Sequence, residues 1–351
     1  MLEGGTATKS VLGLPPTDDG PIRDLWLSLY IFPAVSAADE IGLFGALEQS
    51  PMTIEMLAEK LSLSHPASEA LVATMSGLGL LRHSRGKFEL TETAKTYLVP
   101  GKPFYWGPWF RFFRDIPVTH QRMITALCKG EPAVANNGNV LTQEWESAQM
   151  SAEQAATVTR AMHSHSFAPA MGLAEKIDLS STKNFLDIAG GAGSLCIAMA
   201  KRHPNVHFTV ADLPPVCDVA REYILQYDLP RQIDVRSLDM FRDPWPTQYD
   251  AISFMNILHD WGKERRAFLV KRTFDALPPG GKIFIFELLM SDARDGSLTA
   301  GLFSVNMIYV TEGKQFTSVE LQELLQECGF RDVTTTRVYA GYALVSGQKP
   351  K

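Results

Sequence analysis

From Lys183 onwards the sequence alternates short apolar runs with longer amphipathic stretches, and this rhythm constrains the fold more than any other feature. Apolar runs separated by helical stretches of about 10 to 15 residues predict parallel strands in one sheet, covered by helices on both faces. The predicted strands are NFLDIA, VHFTVA, YDAISFM and KIFIFELLM, and the predicted helices are Ser194–Arg202, Val216–Tyr227, Lys263–Leu277 and Ser318–Cys328. Two further runs, DVTTTRV and YALVSGQ, flank Ala340-Gly341 and predict an antiparallel hairpin at the edge of the sheet.

Residues 21–100 predict a second, smaller folding unit. The run MTIEMLAEKL predicts an amphipathic helix capped by Thr53, and Pro66–Gly77 predicts another helix with Pro near its start. The alternating run LGLLRHSRGKFELT predicts a small hairpin around Arg85-Gly86. Helices followed by a hairpin are typical of a winged helix.

The start of the chain adds few constraints. Residues 1–20 are rich in Gly, Pro and Thr, and we expect them to be mobile. Ile22–Leu47 is apolar at helical spacing, and Pro33 is expected to bend or break that helix. Because the first residues lack the layout of a signal peptide and no stretch approaches about 18 uninterrupted apolar residues, we expect a cytoplasmic protein with no membrane partner. Reducing conditions also suit the four dispersed cysteines, Cys128, Cys196, Cys217 and Cys328.

The charge pattern argues against a nucleic-acid partner, although winged helices often bind DNA. The candidate recognition helix with its flanks, Leu61–Leu81, contains no Lys or Arg, whereas groove readers need cations for phosphates and guanine edges. The whole chain has 33 Lys and Arg against 39 Asp and Glu, a net charge of −6. We therefore interpret the module as a packing or dimerisation unit. The alternative is a winged-helix regulator that senses an adenosine ligand.

The segment FYWGPWFRFF, residues 104–113, holds seven aromatic residues in ten. Three interpretations stay open: core packing, a patch that meets a membrane surface, or an aromatic wall for a flat substrate, since ligand pockets are mostly apolar.

The loop after the first predicted strand reads Asp187-Ile-Ala-Gly-Gly-Ala-Gly. Gly190, Gly191 and Gly193 allow positive φ and close approach of a ligand to the backbone, and amides at the start of the next helix can donate to an anion. Asp212 ends the next strand, 19 residues after Gly193, where a carboxylate can accept both hydroxyls of a ribose. The pattern predicts an adenosine-type cofactor.

Two details separate this loop from other nucleotide-binding motifs. Cys196 stands where the dinucleotide fingerprint needs a third small residue, and no Gly-Lys-Ser/Thr follows as a P-loop requires. The carboxylate of Asp187 at the end of the strand suits a cationic or amine-bearing ligand. S-adenosylmethionine (SAM) offers an ammonium, a sulfonium, a ribose and a carboxylate.

Five motifs, LDIAGGAG, ADLPPV, LDMF, NILHDW and NMIYVTEGKQFT, resemble those of the class I SAM-dependent small-molecule O-methyltransferases. That family includes plant caffeate and flavonoid methyltransferases, acetylserotonin methyltransferase and bacterial natural-product enzymes. The resemblance covers nearly the whole chain, and LHDW after the fourth predicted strand is its most specific part. It implies an α/β fold in which residues 101–351 comprise a helical linker and substrate cap (101–180) and a Rossmann-like SAM-methyltransferase domain (181–351). The α-helical winged-helix domain (21–100) would mediate a homodimer.

The resemblance also implies which residues bind SAM and its product S-adenosylhomocysteine (SAH). The loop would hold the methionine end, Asp212 the ribose, and the LDMF pair the adenine. The complete predicted set is Ser166, Asp187, Gly190, Gly191, Gly193, Asp212, Leu213, Asp239 and Met240.

His259 in LHDW matches the family's catalytic base, and Glu287, 28 residues later, matches the acid that orients it. An imidazole, with an ordinary pKa of about 6.5, suits removal of a hydroxyl proton at neutral pH. A carboxylate on its other nitrogen fixes the tautomer and stabilises the imidazolium. By the same resemblance, the acceptor pocket is lined by Met162, His165 and Met307.

The chain departs from the family pattern near its end, where Glu312-Gly-Lys-Gln-Phe-Thr replaces the usual G-G-R/K-E-R-T. Gln315 takes the place of a second orienting acid, so a neutral amide would complete the catalytic set. Glu287 is therefore the expected partner of the imidazole, with Glu312 as a substitute if its loop turns inward. Asp260 is expected to be solvated or to cap a helix.

The sequence thus predicts methyl transfer from SAM to a hydroxyl of a flat aromatic small molecule of natural-product type. The alternatives are methylation of carbon or nitrogen, or SAM-bound chemistry without methylation, such as decarboxylation, hydroxylation or pericyclic reactions. No metal is expected, because His163-x-His165 has no neighbouring carboxylate pair at a recognisable spacing.

Overall fold

The computed structural model describes residues 17–116, 118–130, 132, 142, 145 and 150–351. Most of the predicted mobile segment 1–20 therefore lies outside the described residues. The chain divides into two compact units, residues 1–95 and 96–351. No single helix in the described ranges is long and apolar enough to cross a bilayer, and only the bent pair Gly20–Glu40 and Leu43–Gln49, at 55° to each other, passes by length and composition.

The first unit contains five α-helices and a two-stranded hairpin among its described residues. Its helix α4 begins after Thr53, whose Oγ1 accepts the amide of Met56 at 3.3 Å, as the sequence predicts. The hairpin turns at Arg85 and Gly86, which both have positive φ, the backbone that matches the twist of a tight hairpin. The elements are α1 (Gly20–Leu27), a 3₁₀ turn (Ser28–Tyr30), α2 (Ile31–Glu40), α3 (Leu43–Gln49), α4 (Ile54–Leu61), α5 (His65–Gly77), β1 (Leu81–Ser84) and β2 (Lys87–Leu90).

The predicted bend or break of the first helix is observed within one turn before Pro33. The break lies at Ser28–Tyr30, and Pro33 is the third residue of α2. There its missing N–H costs no hydrogen bond, because the first four amides of a helix have no partner within it.

The second unit is built on a seven-stranded sheet in the order β5-β4-β3-β6-β7-β9-β8. The pairs from β5 to β7 are parallel, whereas β9 pairs antiparallel with β7 and with β8, so the prediction of a parallel sheet with a hairpin edge is confirmed. The strands are β3 (Asn184–Ile188), β4 (His207–Asp212), β5 (Ile233–Ser237), β6 (Ala251–Met255), β7 (Lys282–Leu288), β8 (Arg331–Tyr339) and β9 (Tyr342–Gln348).

Helices cover both faces of this sheet, as expected for parallel strands. The sequence patterns do not predict strand β5 or the helix Leu298–Val310. In β5 only Ile233 is buried, so no apolar run marks the strand. Helix α6 (Glu92–Tyr97) crosses the boundary between the two units. The helices of the second unit are α7 (Gly107–Phe113), α8 (His120–Lys129), α9 (Ala152–Ala174), α10 (Ser194–Ala200), α11 (Pro214–Gln226), α12 (Lys263–Ala276), α13 (Leu298–Val310) and α14 (Ser318–Glu327).

Alternation along β7 decides which side of the sheet receives each side chain. Ile283 and Ile285 pack into the core on one face, and Phe284 and Phe286 pack into the core on the other. Glu287 continues the first series, so it points to the face that carries Leu258 and Phe316. The carboxylate of Glu287 therefore lies near the carboxyl end of β7.

The chain passes from β3 to β4 on one side and reaches β6 on the other, which makes the gap between β3 and β6 a topological switch point. In open α/β sheets, ligands bind outside the carboxyl ends of the strands at such a point. The segments that follow β3, β4, β5 and β6 therefore form the floor of the candidate site.

Candidate active site

A cavity lies at this edge of the sheet, between the strand ends and helix α9. The loop after β3 forms its base, and the residue that ends β4 its side wall. Nine of the predicted residues line it: Met162, Ser166, Asp187, Gly190, Gly191, Asp212, Leu213, Asp239 and Met240. Gly193 does not line the cavity; it precedes α10, and a Cβ there would lie 3.1 Å from Val210 Cγ2.

The backbone of the loop departs from its prediction at two positions. Gly191 and Gly193 have positive φ, as expected, but Gly190 does not, and the third positive φ belongs to Ala189 at 53°. Gly190 is instead required for space, since a Cβ would lie 2.7 Å from Asp187 Oδ2. Ala189 carries a conformation that costs a non-glycine residue about 1 to 2 kcal/mol.

Asp212 is held by backbone amides. Its Oδ2 accepts the N–H of Gly191 at 2.8 Å, and its Oδ1 accepts that of Leu213 at 2.7 Å. Burial nevertheless raises the pKa of Asp212 to about 6, although these hydrogen bonds oppose the shift. The loop after β3 and the end of β4 are thus fixed to each other through one carboxylate.

Asp187 is more deeply buried than Asp212. Its Oδ1 accepts a hydrogen bond from the hydroxyl of Ser253 at 2.6 Å. Burial raises its pKa to about 7, against that hydrogen bond, and the nearby charge of Asp212 adds to the rise. Within the described part of the chain, neither carboxylate has an ion pair with Lys, Arg or His. A cationic ligand in the cavity would meet two desolvated carboxylates without cationic partners.

Asn256 follows β6 and also lines the cavity. It has a positive φ of 56°, a conformation that Asn adopts more readily than most residues. Its Nδ2 donates to Ser166 Oγ at 3.3 Å, while its Oδ1 is buried without a hydrogen-bond partner. Since unpaired buried acceptors are costly, Oδ1 is available to a donor on a ligand.

His259 lies in the 3₁₀ turn Leu258–Asp260 and is buried beside this cavity, although it does not line it. Its Nδ1 is 2.6 Å from Glu287 Oε2, and its backbone N–H donates to Glu287 Oε1 at 3.3 Å. The amide of Gln315 lies 3.1 Å from the same Nδ1. The ring therefore presents Nδ1 to Glu287 and Gln315 and turns Nε2 the other way.

Asp260 contradicts the prediction that it would be solvated or cap a helix. It is buried, its Oδ1 is 3.6 Å from Nε2 of His259, and it lines the cavity. Burial raises the pKa of Asp260 to about 7, with the imidazole opposing the shift. Burial alone would lower the pKa of His259, but the carboxylates of Glu287 and Asp260 outweigh it and raise that pKa to about 9.

The segment after α13 reaches the imidazole because of a glycine that sequence reasoning missed. A Cβ on Gly313 would lie 1.7 Å from the carbonyl oxygen of His259, and the amide of Glu312 donates to the Asp260 carbonyl at 3.2 Å. Glu312 itself is exposed, so the suggestion that it replaces the second acid is wrong. The close backbone contact is what brings Gln315 to Nδ1.

Aromatic rings stack beside the imidazole. His165 stacks on Trp109 at 4.6 Å and on Phe303 at 5.6 Å, and the Phe303 ring meets His259 edge-on at 5.6 Å. Nε2 of His165 lies 3.1 Å from the hydroxyl of Tyr342, and burial lowers the pKa of His165 to about 4. The aromatic segment therefore meets His165 through Trp109, whereas Met307 and His165 lie outside the cavity lining.

His163 is buried among other side chains of the second unit. Its Nδ1 is 2.8 Å from Ser194 Oγ, its ring packs against Tyr223, and burial lowers its pKa to about 3. Among the described residues, no group of three or more His, Cys, Asp or Glu could hold a metal ion.

Comparisons with known proteins agree with this fold. The model of the O-methyltransferase domain matches residues 128–331, and that of the O-methyltransferase dimerisation domain matches residues 24–100. The chain belongs to the O-methyltransferase family. Its two matched domains agree with the observed class I methyltransferase fold and with the predicted N-terminal dimerisation domain.

Named relatives of this methyltransferase act on different atoms. It is 32% identical over 343 residues to 3-hydroxy-5-methyl-1-naphthoate 3-O-methyltransferase of Streptomyces sahachiroi, covering 94% of this chain and 95% of the relative. It is 27% identical over 357 residues to L-tyrosine C(3)-methyltransferase of Streptomyces lavendulae, covering 96% and 95%. The human N-acetylserotonin methyltransferase in complex with SAM has a similar structure, with a TM-score of 0.81, 25% identity and coverage of 96% and 100%.

The contact at Gly313 generates a prediction. Gly313→Ala should displace the turn that carries His259, lowering the melting temperature and reducing methyl transfer by about 100-fold, because the new Cβ overlaps a backbone oxygen. Thermal unfolding and turnover are measured. The control is Gly301→Ala in α13, where a Cβ meets nothing within 4 Å and helix propensity predicts a gain of about 0.5 to 1 kcal/mol. Equal melting temperatures for the two variants would contradict the account.

Proposed function

We propose that this methyltransferase transfers a methyl group from SAM to a hydroxyl of a flat aromatic small molecule, with Nε2 of His259 accepting the hydroxyl proton. The observation that carries the proposal is the buried contact of 2.6 Å between Glu287 and Nδ1 of His259, beside a cavity lined by the carboxylates of Asp187 and Asp212. The domains are proposed to divide the work: 21–100 for dimerisation, 101–180 for capping the acceptor, and 181–351 for SAM.

The cavity fits SAM in its chemistry. Asp187 and Asn256 Oδ1 offer acceptors for an ammonium, and the buried, unpaired carboxylates favour a ligand with net positive charge. Asp212 would accept the ribose hydroxyls, and Leu213, Asp239 and Met240 would contact the adenine. Ser166, Gly190 and Gly191 would hold the methionine end; all of these residues line the cavity. When bound, SAM supplies the methyl group, and its sulfur keeps the bonding electron pair to leave SAH.

The protein's own residues would handle the proton. With the neutral ring's proton on Nδ1, 2.6 Å from Glu287 Oε2, the lone pair on Nε2 would be left as the base. An acceptor hydroxyl that loses its proton to Nε2 gains nucleophilic character, and the resulting imidazolium is stabilised by the charge of Glu287. Such positioned bases contribute about 10² to 10⁴ in rate. Gln315 lies against the same edge of the ring and adds no charge there.

The acceptor is proposed to be flat and apolar because aromatic rings stack beside His259. His165 stays neutral between Trp109 and Phe303, and Met307 is buried on the same helix as Phe303. Aromatic surfaces of this kind bind planar ligands by stacking. Met162 and His165 would complete the wall from α9.

The function can be tested directly by incubating the protein with a panel of phenols and with SAM labelled in its methyl group. The proposal predicts a labelled mono-methyl ether by mass spectrometry. His259→Ala should keep its affinity for SAH in calorimetry and lose about 100-fold or more in turnover. His207→Ala, an exposed histidine paired with Asp234, should retain turnover.

Each contrary outcome has a distinct meaning. A label on carbon or nitrogen would replace the hydroxyl acceptor, and product without label would favour non-methylating chemistry. Unchanged turnover in His259→Ala would contradict the proposed role of His259 as the base.

The raised pKa of His259 predicts a pH dependence. The base acts only when unprotonated, so kcat/KM should rise with pH above the ordinary imidazole value of about 6.5. Asp260→Asn removes a carboxylate 3.6 Å from Nε2. Losing that negative charge lowers the pKa of His259, so the rising limb should move to lower pH for the same acceptor. Superimposable profiles of the two proteins would argue against the imidazole as the titrating base.

The homodimer is proposed to form through the first unit, whose N-terminal helix exposes an apolar face. Leu25, Trp26, Leu29 and Tyr30 are 60 to 69% exposed, and exposed apolar patches of this kind mark association surfaces. A second copy of the chain is the proposed cover, because the dimerisation-domain model matches residues 24–100.

Charged substitutions test the dimer. Leu25→Glu combined with Trp26→Glu should shift the mass in light scattering from dimer to monomer, because two charges would have to be buried. Lys87→Glu, on the exposed side of β2, should stay dimeric. A wild-type monomer, or a dimer that survives the double substitution, would overturn this assignment.

A further inference from the structure

The loop after β5 forms one wall of the cavity, with Leu238, Asp239, Met240 and Phe241 among its lining. Asp239 builds the turn. Its Oδ1 accepts the amides of Phe241 at 2.9 Å and Arg242 at 3.1 Å, and its own amide donates to Asp243 Oδ2 at 2.8 Å. The carboxylate of Asp239 is thus largely used within the loop, which leaves the shape of the loop to decide how it meets a ligand.

A single carbonyl in this loop receives two donors from outside it. The Met240 oxygen accepts Nε1–H of Trp245 at 3.0 Å and Nη1–H of Arg272 at 2.9 Å. The second terminal nitrogen of Arg272 donates to the carbonyl of Asp243. One guanidinium therefore clamps both ends of the turn that faces the cavity.

The guanidinium is itself held in place. It lies over the ring of Trp245 at 5.1 Å and over that of Phe268 at 5.5 Å. Arg272 belongs to α12, whose neighbouring residues Leu269, Val270 and Thr273 are buried in the core. The planar fork of an arginine loses little freedom when it is stacked and bonded in this way.

We infer that Arg272 is a positioning residue for cofactor binding: with the indole of Trp245, it fixes the loop 238–243 in the shape that receives the adenine end of SAM. This inference rests on the proposed function, which places the adenine against Met240 and Asp239. Arg272 does not line the cavity, so it acts only through the loop. A loop that is ordered before the ligand arrives loses less conformational freedom on binding.

The clamp predicts a separation of cofactor affinity from chemistry. His259 and Glu287 lie on other segments and make no contact with Arg272 in the described structure. Loosening the loop should therefore weaken the binding of SAM and SAH without changing the rate of methyl transfer in the bound complex. The affinity for adenosine should fall by the same factor as the affinity for SAH, because the loop is proposed to contact the nucleoside end.

The test compares Arg272→Met with the wild-type protein in its full-length form. We expect the Kd for SAH and for adenosine in calorimetry, and the KM for SAM, to rise about tenfold. The kcat at saturating SAM and the KM of the acceptor should change by less than about twofold. Arg272→Lys keeps the charge but cannot bridge two carbonyls, so its loss of affinity for SAH should be intermediate. Lys271→Met, an exposed neighbour paired with Asp275, is the matched control.

Trp245→Phe provides a second route to the same loop. It removes the other donor to the Met240 carbonyl and keeps an aromatic ring beneath the guanidinium. In a double-mutant cycle with Arg272→Met, the losses in SAH affinity should be non-additive, since both donors act on one carbonyl. If Arg272→Met fails to fold, Arg272→Lys and Trp245→Phe carry the test.

The outcomes separate the inference from the function on which it rests. Wild-type protein that binds neither SAH nor SAM would overturn the proposed function. Wild-type protein that binds SAH, with an Arg272→Met variant of equal affinity, would overturn the positioning role alone. A lower melting temperature with unchanged SAH affinity would show that Arg272 serves only stability.

Discussion

The contact between Glu287 and His259 is the interaction on which the rest of the site depends. A carboxylate with no exposure is stable only if it is paired and hydrogen-bonded, and Glu287 meets both the ring and the backbone amide of His259. Removing either partner would leave a buried group uncompensated. The pair therefore fixes the position of the turn after β6 and the direction in which Nε2 points.

The sheet explains why this pair stands beside a cofactor cavity. Parallel strands bring their carboxyl ends to one edge, so Asp187, Asp212, Asn256 and Glu287 follow or end four neighbouring strands there. Three of these groups face the cavity with acceptor oxygens, and the fourth holds the imidazole. The site separates into a half that favours a positive ligand and a half built around the imidazole of His259. Asp260 lies between them, since it lines the cavity and is 3.6 Å from Nε2.

Sequence patterns predicted what local rules determine. Apolar runs predicted most strands of the central sheet. Thr53 predicted a helix cap, and Arg85-Gly86 predicted the turn of the small hairpin. The patterns failed where distant packing decides: β5 is polar at the sheet's edge, and Asp260 is buried by segments far along the chain. Gly313 had a signal, a glycine in the run that departs from the family pattern, but its reason is a backbone contact that spacing does not reveal.

The most direct measurement is histidine-selective heteronuclear NMR of the imidazole nitrogens across a pH titration, with His259→Ala used to assign the signal. The account predicts that the His259 ring carries its proton on Nδ1 when neutral and titrates well above the ordinary value, with a pKa of about 9. Replacement of Glu287 by Gln should remove most of that rise. A ring that titrates near about 6.5, or that carries its neutral proton on Nε2, would contradict the claim that Glu287 orients the base.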